Sequence, residues 1–331
     1  MSVQKICIIG GTGFVGHSLT AQLARQGHQV TVVTRRRERH RDLLVLPTVQ
    51  VVQGNARNVG VLCRHFAGVD AVINLVGILN ESRSGGSFEE IHVRLPMRVL
   101  EACKQAGVRR LLHMSALHAS TDAPSEYLRT KAKGEALVHQ GAGPDLRVTS
   151  FRPSVIFGPR DSFINRFAAL LKAVPGFFPL ACPRARFQPV YVEDVARAFT
   201  LALGEFRTFG QGYDLCGPRI YTLEELVAYV ARELGLRRRI IGLPDSLSRL
   251  QAALLGLLPG KPFSLDNYRS LKVDSVCERR RTPETRSPYR GALQEVFGIT
   301  PTPLESVVPS YLVYPQRSRR YSFYRRFARR G

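Results

Sequence analysis

The sequence has few features of a membrane-spanning or secreted protein. Its most apolar segment, LQAALLGLL at 250–258, is followed by Pro259 and is far shorter than the roughly 20 residues that span a bilayer. The first strand-like segment begins at Val3, which leaves no room for a cleavable signal or transit peptide. We therefore expect a cytoplasmic protein.

Cysteine is sparse and has no recognisable pairing. No CxxC pair and no spacing typical of a metal site is present, and several cysteines lie in apolar segments, where a reduced cysteine behaves as a small hydrophobic residue. The six are Cys7, Cys63, Cys103, Cys182, Cys216 and Cys277. We expect all of them to be reduced, with no disulfide framework and no bound metal.

Acidic residues are scarce relative to basic ones. The chain has 26 Asp and Glu against 48 Lys and Arg, a net charge of +22. Such a charge favours anionic partners, which include phosphate cofactors, acidic protein surfaces, anionic lipid and nucleic acid. No helix-turn-helix, zinc-finger or RNP motif accompanies the basic residues, which disfavours sequence-specific nucleic-acid binding.

The end of the chain is the most basic part. No acidic residue follows Glu305, and residues 317–331 contain seven arginines interleaved with aromatic residues. As a helix, this tail would place Tyr321 and Tyr324 on one side, an arrangement that suits an anionic membrane surface. A disordered terminus and docking on an acidic protein surface are the alternatives.

Short apolar segments alternate with helix-like ones through the first half of the chain. Strands are predicted at 5–10, 29–34, 49–54, 71–77, 110–115 and 146–153, and helices near 14–25, 58–66, 88–106 and 125–139. This alternation predicts an α/β fold with a Rossmann-type, doubly wound parallel sheet and a smaller C-terminal α/β lobe.

Three regions are expected along the chain. Residues 1–157 form an NAD(P)-binding Rossmann domain whose sheet is completed by parts of 187–220. Residues 158–310 form a smaller lobe for a substrate or partner, interleaved with the sheet, and 311–331 form the basic aromatic tail. Within the lobe, Thr222 is the predicted N-cap of a helix over 221–235, with Glu225 at the capping-box position.

A glycine-rich segment, GGTGFVG, follows the first predicted strand. Gly10, Gly11, Gly13 and Gly16 stand where a strand turns into a helix. Glycine there permits the tight turn, the approach of the backbone to a pyrophosphate, and close packing of helix on strand. The helix N-terminus then offers free N–H groups to phosphate. The segment predicts a dinucleotide-binding loop.

The second strand ends in a run of arginines. Thr34 is followed by Arg35, Arg36 and Arg37, and no carboxylate occurs before Glu38 to bind a ribose 2′-hydroxyl. Guanidinium groups suit a 2′-phosphate, so the run favours NADP(H) over NAD(H). A solvated basic loop is the alternative.

Tyr127 and Lys131 are one helical turn apart in SEYLRTKAKGEAL. A lysine cation on the same helix face stabilises a phenolate, which makes the pair a candidate proton-transfer site. The spacing also recurs by chance in helices that have no site.

These segments together resemble the extended short-chain dehydrogenase/reductase superfamily. The matching motifs, in order over roughly residues 3–205, are GGTGFVG, GNA (54–56), INLVG (73–77), YLRTK, RPSVIFGPRD (152–161) and FQPVYVEDVA (187–196). The later segments 260–276 and 297–312 resemble an atypical branch of that superfamily. This branch includes the NAD(P)H-binding alpha-subcomplex accessory subunit (subunit nine) of respiratory complex I, here of bacterial type.

The resemblance implies a set of cofactor contacts. They are Gly10, Thr12, Gly13, Phe14, Val15 and Gly16 at the pyrophosphate, Arg35 and Arg36 at the adenosine ribose phosphate, Asn55 and Ala56 at the adenine, Leu75, Val76 and Gly77 beside the ribose, Tyr127 and Lys131 at the nicotinamide ribose, and Pro153 and Val155 near the nicotinamide. Many relatives have Asp where Asn55 stands.

Active superfamily members also hold the substrate oxygen with a hydroxyl at the end of the fifth strand. Ser115 is the hydroxyl at that tip, but in one alignment Ala116 or Leu117 takes the catalytic position, and Ser120 reaches it only if the loop folds back.

The resemblance implies a cofactor-stabilised structural, assembly or quinone-linked role, with respiratory-complex or quinone-pathway proteins as partners and peripheral contact with the inner membrane. There are two alternatives. One is an NADPH-dependent reductase, dehydrogenase or epimerase for an apolar carbonyl or hydroxyl compound, and the other is an NADPH/NADP redox sensor.

Overall fold

The computed structural model describes residues 3–82, 86–258, 261–277 and 291–313. Six parallel strands coincide with the six predicted ones: β1 (Lys5–Ile9), β2 (Gln29–Thr34), β3 (Val49–Gln53), β4 (Ala71–Asn74), β5 (Arg110–Met114) and β6 (Arg147–Pro153). They are rich in Ile, Val and Leu because both faces of the sheet are covered by other elements.

Helices follow the strands in alternation. The first four are α1 (Phe14–Arg25), α2 (Val59–Phe66), α3 (Leu95–Gln105) and α4 (Glu126–Gln140). A π-helical segment, Glu89–Arg94, runs directly into α3. The predicted helix over 88–106 is therefore present, but its first part has a wider winding than an α-helix.

The second half supplies seven short strands. They are β7 (Ile156–Phe157), β8 (Phe177–Leu180), β9 (Arg186–Phe187), β10 (Val190–Tyr191), β11 (Gly212–Leu215), β12 (Tyr221–Thr222) and β13 (Arg239–Gly242). Strand β11 pairs parallel with β6 and completes a seven-stranded sheet in the order β3-β2-β1-β4-β5-β6-β11. The predicted doubly wound parallel sheet is confirmed. The other six strands form two-stranded pairs.

Seven further helices complete the described fold. They are α5 (Ile164–Ala173), α6 (Val192–Ala202), α7 (Leu223–Glu233), α8 (Asp245–Leu255), α9 (Leu265–Ser270), α10 (Ala292–Glu295) and α11 (Leu304–Leu312). Helix α6 packs beside α1 over the sheet, whereas α5, α7 and α11 share a separate apolar core. The predicted capping box of α7 is present, since Thr222 and Glu225 cap each other.

The described helices include none with the length and apolar character needed to cross a membrane. Of the expected basic tail at 311–331, Tyr311 and Leu312 end α11, and residues 314–331 lie outside the described residues.

Two cysteines form a disulfide, which corrects the expectation that all six are reduced. Cys216 directly follows β11, and its sulfur is bonded to that of Cys277. The two are 61 positions apart, so their spacing in the sequence carried no signal of the pairing. Cys7 and Cys103 are free thiols inside the core, as expected for small hydrophobic residues.

Candidate nucleotide-binding site

The glycine-rich loop forms a tight turn between β1 and α1. Gly10 has a positive φ of 86°, and its carbonyl accepts a hydrogen bond from the Gly13 N–H at 3.0 Å. A side-chain carbon on Gly16 would lie 2.4 Å from that same carbonyl oxygen, so only glycine fits there. Gly13 is the N-cap of α1 and has no side chain to occupy the free N–H groups of the first turn. These features fit a bound pyrophosphate.

The other loop residues lie where the motif places them. Thr12, Phe14 and Val15 are partly buried between Gly11 and Gly16. The Phe14 ring lies against Gly158, because its Cζ is 3.5 Å from the position of a side-chain carbon on that glycine. The loop therefore contacts the segment that follows β7.

Arg35 and Arg36 are exposed directly after β2. The first carboxylate of the following loop, that of Glu38, is paired with Arg41 at 3.3 Å. The acid that follows Arg35 and Arg36 is therefore paired with another arginine.

Asn55 and Ala56 follow β3 at the same edge of the sheet. The Asn55 carboxamide oxygen accepts a hydrogen bond from the Arg57 N–H at 3.1 Å, within its own turn. Ala56 packs partly buried against the core. In this structure the Asn55 side chain therefore stabilises the turn at the predicted adenine position.

An acid-histidine cluster that we did not predict lies beside the loop. Nε2 of His17 on α1 is 2.9 Å from Oδ2 of Asp42, and Nη1 of Arg160 is 3.3 Å from the same oxygen. His40 brings a third ligand atom, and the ligand atoms of the two histidines and Asp42 lie within 4.8 Å of one another. The Arg160 guanidinium is paired with the same carboxylate, which disfavours a cation there.

The end of β4 meets the predicted Tyr–Lys helix. Leu75 and Val76 are partly buried, and Gly77 is exposed. Nζ of Lys131 lies 3.0 Å from the position of a side-chain carbon on Gly77 and donates a hydrogen bond to the Met114 carbonyl at 3.1 Å. The structure therefore brings Lys131 to the ends of both β4 and β5.

Burial dominates the protonation of the pair. It lowers the pKa of Lys131 to about 8 and raises the pKa of the half-buried Tyr127 to about 12. The sequence left two interpretations of the pair, a proton-transfer site in which Lys131 makes the Tyr127 phenol more acidic, and a chance spacing. The Tyr127 pKa is raised instead, because desolvation by burial disfavours the phenolate.

Ser115 is the one hydroxyl at the tip of β5. Its N–H donates to the Phe151 carbonyl at 2.8 Å, and its Oγ is buried without a hydrogen-bond partner among the described residues. Ala116 and Leu117 are also buried. Ser120 is exposed, and its Oγ accepts from the Asp122 N–H at 3.3 Å instead. An unpaired buried hydroxyl costs about 1–3 kcal/mol, so Ser115 is a group that a ligand would satisfy.

Pro153 is the last residue of β6, and Val155 directly precedes β7. Their carbonyls accept hydrogen bonds from the Leu117 and Val190 N–H groups, at 3.2 Å and 3.0 Å. The backbone at this predicted nicotinamide position is therefore fixed by its neighbours on two sides.

His92 is a site residue that the sequence did not reveal. It lies in the π-helical segment, and its carbonyl points at α4, where a side-chain carbon on Gly134 would be 1.8 Å from that oxygen. Its Nε2 accepts from the Ile78 N–H at 3.1 Å, which leaves Nδ1 to donate to the Thr130 hydroxyl at 3.0 Å. Burial and the nearby Lys131 lower the pKa of His92 to about 2, so the ring is neutral.

Asp266 on α9 fixes the start of the Tyr–Lys helix. Its two carboxylate oxygens accept from the N–H groups of Glu126 and Tyr127, at 2.7 Å and 3.2 Å. Ser125, the N-cap, accepts from the Leu128 N–H at 3.3 Å. A carboxylate at a helix N-terminus is favourable, and this one lies 139 positions from Tyr127, so sequence spacing gave no sign of it.

The profile of the NAD dependent epimerase/dehydratase family matches residues 6–216, which contain the glycine-rich loop, Ser115, Tyr127 and Lys131. The chain belongs to this family. That assignment and the fold confirm that it has an NAD(P)-binding domain of the kind found in extended short-chain dehydrogenases.

Similar proteins include both a respiratory subunit and reductases. The chain is 33% identical over 277 residues to the mitochondrial NADH dehydrogenase (ubiquinone) 1 alpha subcomplex subunit 9 of Arabidopsis thaliana, covering 81% of this chain and 68% of that protein. It is 30% identical to the ceramide reductase of Caulobacter vibrioides, covering 72% and 74%. The predicted resemblance to the complex I accessory subunit is confirmed.

A solved structure with the same fold is the NADPH-dependent quinone oxidoreductase QOR2 of Escherichia coli, complexed with NADPH. Its TM-score is 0.71 at 20% identity, and the match covers 93% of this chain and 99% of that one. At this identity the likeness shows the fold alone.

Proposed function

We propose that this protein binds NADP(H) and keeps it as a structural element, in a supporting role for a respiratory or quinone-linked assembly at the cytoplasmic side of a membrane. The observation that carries the proposal is the loop at Gly10–Gly16, where a side chain on Gly16 would collide with the Gly10 carbonyl. Such a backbone cradle is suited to a pyrophosphate. The similarity to the Arabidopsis complex I subunit supports the assembly role.

The pKa values of Tyr127 and Lys131 support retention of the nucleotide over catalysis of a reaction with it. A phenol whose pKa is about 12 is a weak proton donor near neutral pH, and the Lys131 ammonium is already bonded to a backbone carbonyl. Lys131 and Tyr127 would then bind the ribose of the nucleotide. NADP(H), when bound, supplies hydride chemistry, but a structural role does not need it.

The test is native mass spectrometry of the purified protein, followed by thermal denaturation with added NADPH or NADH. We expect co-purified NADP(H), a rise in Tm with NADPH, and no NADPH oxidation with a panel of carbonyl compounds. Tyr127→Phe should retain the nucleotide. A protein that purifies without nucleotide and gains no stability from either one would contradict the proposal.

The preference for NADP(H) is tested separately by replacing Arg35 and Arg36 with alanine. Since a hydrogen bond to a charged group contributes about 1.5–3 kcal/mol, we expect NADPH affinity to fall by about 10- to 100-fold while NADH affinity stays unchanged. Equal losses for the two nucleotides, measured by calorimetry, would show that these arginines do not read the 2′-phosphate.

A reductase for an apolar carbonyl or hydroxyl compound is the second candidate. The observation in its favour is the buried Ser115 hydroxyl, which has no partner in the described structure and lies at the end of β5, as substrate-binding hydroxyls do in active members. The similarity to the ceramide reductase supports this class of substrate. If it is correct, NADPH oxidation appears with a long-chain ketone, and both Ser115→Ala and Tyr127→Phe abolish it without releasing the nucleotide.

A further inference from the structure

Helix α8 has its apolar residues on the solvent side. It buries Ser248 and Ala252, whereas Leu247, Leu250 and Leu254 are 47%, 53% and 58% exposed, and Leu257, just after the helix, is 84% exposed. We call Leu247, Leu250, Leu254 and Leu257 the leucine face. The spacing of Leu247, Leu250 and Leu254 places them on one side of the helix, and Leu257 follows three positions after Leu254. Amphipathic helices of soluble proteins normally show the reverse arrangement, which marks this face as an interaction surface.

The orientation of α8 is fixed by polar contacts on its buried side and at the edge of the leucine face. The Ser248 hydroxyl accepts from the Cys182 N–H at 3.2 Å and donates to the Leu243 carbonyl at 3.2 Å. Gln251 donates to the Pro179 carbonyl on β8 at 3.1 Å. A rotation of the helix that buried the leucines would break these bonds, so the leucine face is held outward.

The neighbouring strand pair extends the apolar surface. Gln251 is four positions from Leu247 and three from Leu254, so the leucine face adjoins the β8–β13 pair that Gln251 contacts. On that pair, Phe177 is 61% exposed and Ile241 is 43% exposed. Phe177 and Arg239 are partners across the pair, and Arg239 is exposed as well. Apolar and basic side chains therefore share one surface.

The chain segment that carries the leucine face is mostly basic, although Glu81 and Asp266 line a groove together with Leu257. Residues 237–261 contain five arginines and lysines and a single acid, Asp245. The Asp245 carboxylate is occupied, since it accepts from the Tyr268 hydroxyl at 2.8 Å and from Lys272. Apolar side chains at the level of lipid headgroups, flanked by basic ones, are typical of helices that lie on an anionic bilayer. A second copy of the chain would bring two basic surfaces together, which is unfavourable.

We propose that the leucine face of α8, with the exposed β8–β13 pair beside it, is the surface by which this protein lies on an anionic membrane. The leucines enter the headgroup region, and the flanking arginines contact lipid phosphates. The leucine face lies within the described residues, whereas the basic tail at 317–331 does not. Membrane binding by the leucine face does not depend on the nucleotide. The inference adds a membrane-binding surface to the proposed supporting role.

The test is co-flotation of the full-length protein with vesicles of phosphatidylglycerol and phosphatidylcholine, and with vesicles of phosphatidylcholine alone. We expect flotation with the anionic vesicles and little with the neutral ones. Leu250→Gln with Leu254→Gln should lower the bound fraction about tenfold or more, because two exposed leucines no longer leave water. The matched control is Phe206→Gln with Ile220→Gln, at residues 71% and 51% exposed elsewhere on the surface, and should change nothing.

Three results would overturn the proposal. One is a wild-type protein that does not float, and another is a leucine double variant that floats as well as wild type while deletion of residues 317–331 abolishes flotation. In the third, light scattering shows that the wild-type protein is a dimer and the leucine double variant is a monomer, and both proteins float equally well. Nucleotide retention, measured on the same samples, keeps this inference separate from the proposed function, since either can fail while the other holds.

Discussion

The close approach of Gly134 to the π-helical segment permits a sharp test of the site's architecture. An alanine side chain at 134 would lie 1.8 Å from the His92 carbonyl oxygen, whereas ordinary contacts begin near 3.4 Å. Helix α4 and the π-helical segment would have to separate by about 1.6 Å, the difference of these distances. Overpacking of this kind costs about 1–3 kcal/mol, and a lost His92 hydrogen bond adds about 1 kcal/mol. The higher helix propensity of alanine offsets about 1 kcal/mol.

We therefore expect Gly134→Ala to lower the free energy of unfolding by about 2 kcal/mol and, for a chain of 331 residues, the Tm by about 3 °C. The measurement is circular dichroism during heating and in urea. Gly60→Ala is the matched control, because Gly60 also lies inside a helix but its nearest neighbour would be 3.4 Å away. That variant should gain up to about 1 kcal/mol. If Gly134→Ala is as stable as Gly60→Ala, the packing of α4 on the π-helical segment is not as we describe.

Three further predictions follow from buried groups. Because the pKa of Lys131 falls to about 8 on folding, Lys131 is protonated in the unfolded chain but not in the folded one between about pH 8 and pH 10. Over this range the free energy of unfolding of wild type should rise by about 2 kcal/mol relative to that of Lys131→Met, measured by urea denaturation. The pKa of His92 is lowered to about 2, so stability should fall as pH drops below about 6.5, and His92→Gln should lessen that fall by about 1.4 kcal/mol per pH unit. Replacing Cys216 and Cys277 with serine should cost about 4 kcal/mol, since the bond closes a loop of 61 residues, and an unchanged Tm would refute this.

The parts of the fold that the sequence predicted are those with local signals. Six strands were predicted because each is a short apolar segment, and the nucleotide loop because its turn requires glycine at fixed spacing. The helix that bears Tyr127 and Lys131 was also predicted, although its effect on the Tyr127 pKa was not, since burial is a property of the assembled fold.

The contacts that the sequence did not predict join distant positions. Asp266 reaches Tyr127 across 139 residues, and Cys216 reaches Cys277 across 61. The π-helical winding at His92 was also missed, because its apolar pattern matches that of an ordinary helix. The segment packs closely on another element, because Gly134 leaves room for the His92 carbonyl. Such features follow from how the elements meet in three dimensions.

Nucleotide retention and turnover are separable in this site, because different groups govern them. The Lys131 ammonium and the Ser115 hydroxyl, which has no hydrogen-bond partner among the described residues, are both buried. Each carries a desolvation cost that polar groups of a bound ligand would reduce. Binding is therefore expected to stabilise the protein whether or not a reaction follows. Turnover requires in addition that Tyr127 exchange a proton, and burial holds its pKa at about 12. A Tyr127→Phe variant that keeps its nucleotide therefore establishes only binding, and the comparison of its NADPH oxidation rate with that of wild type decides between the two functions.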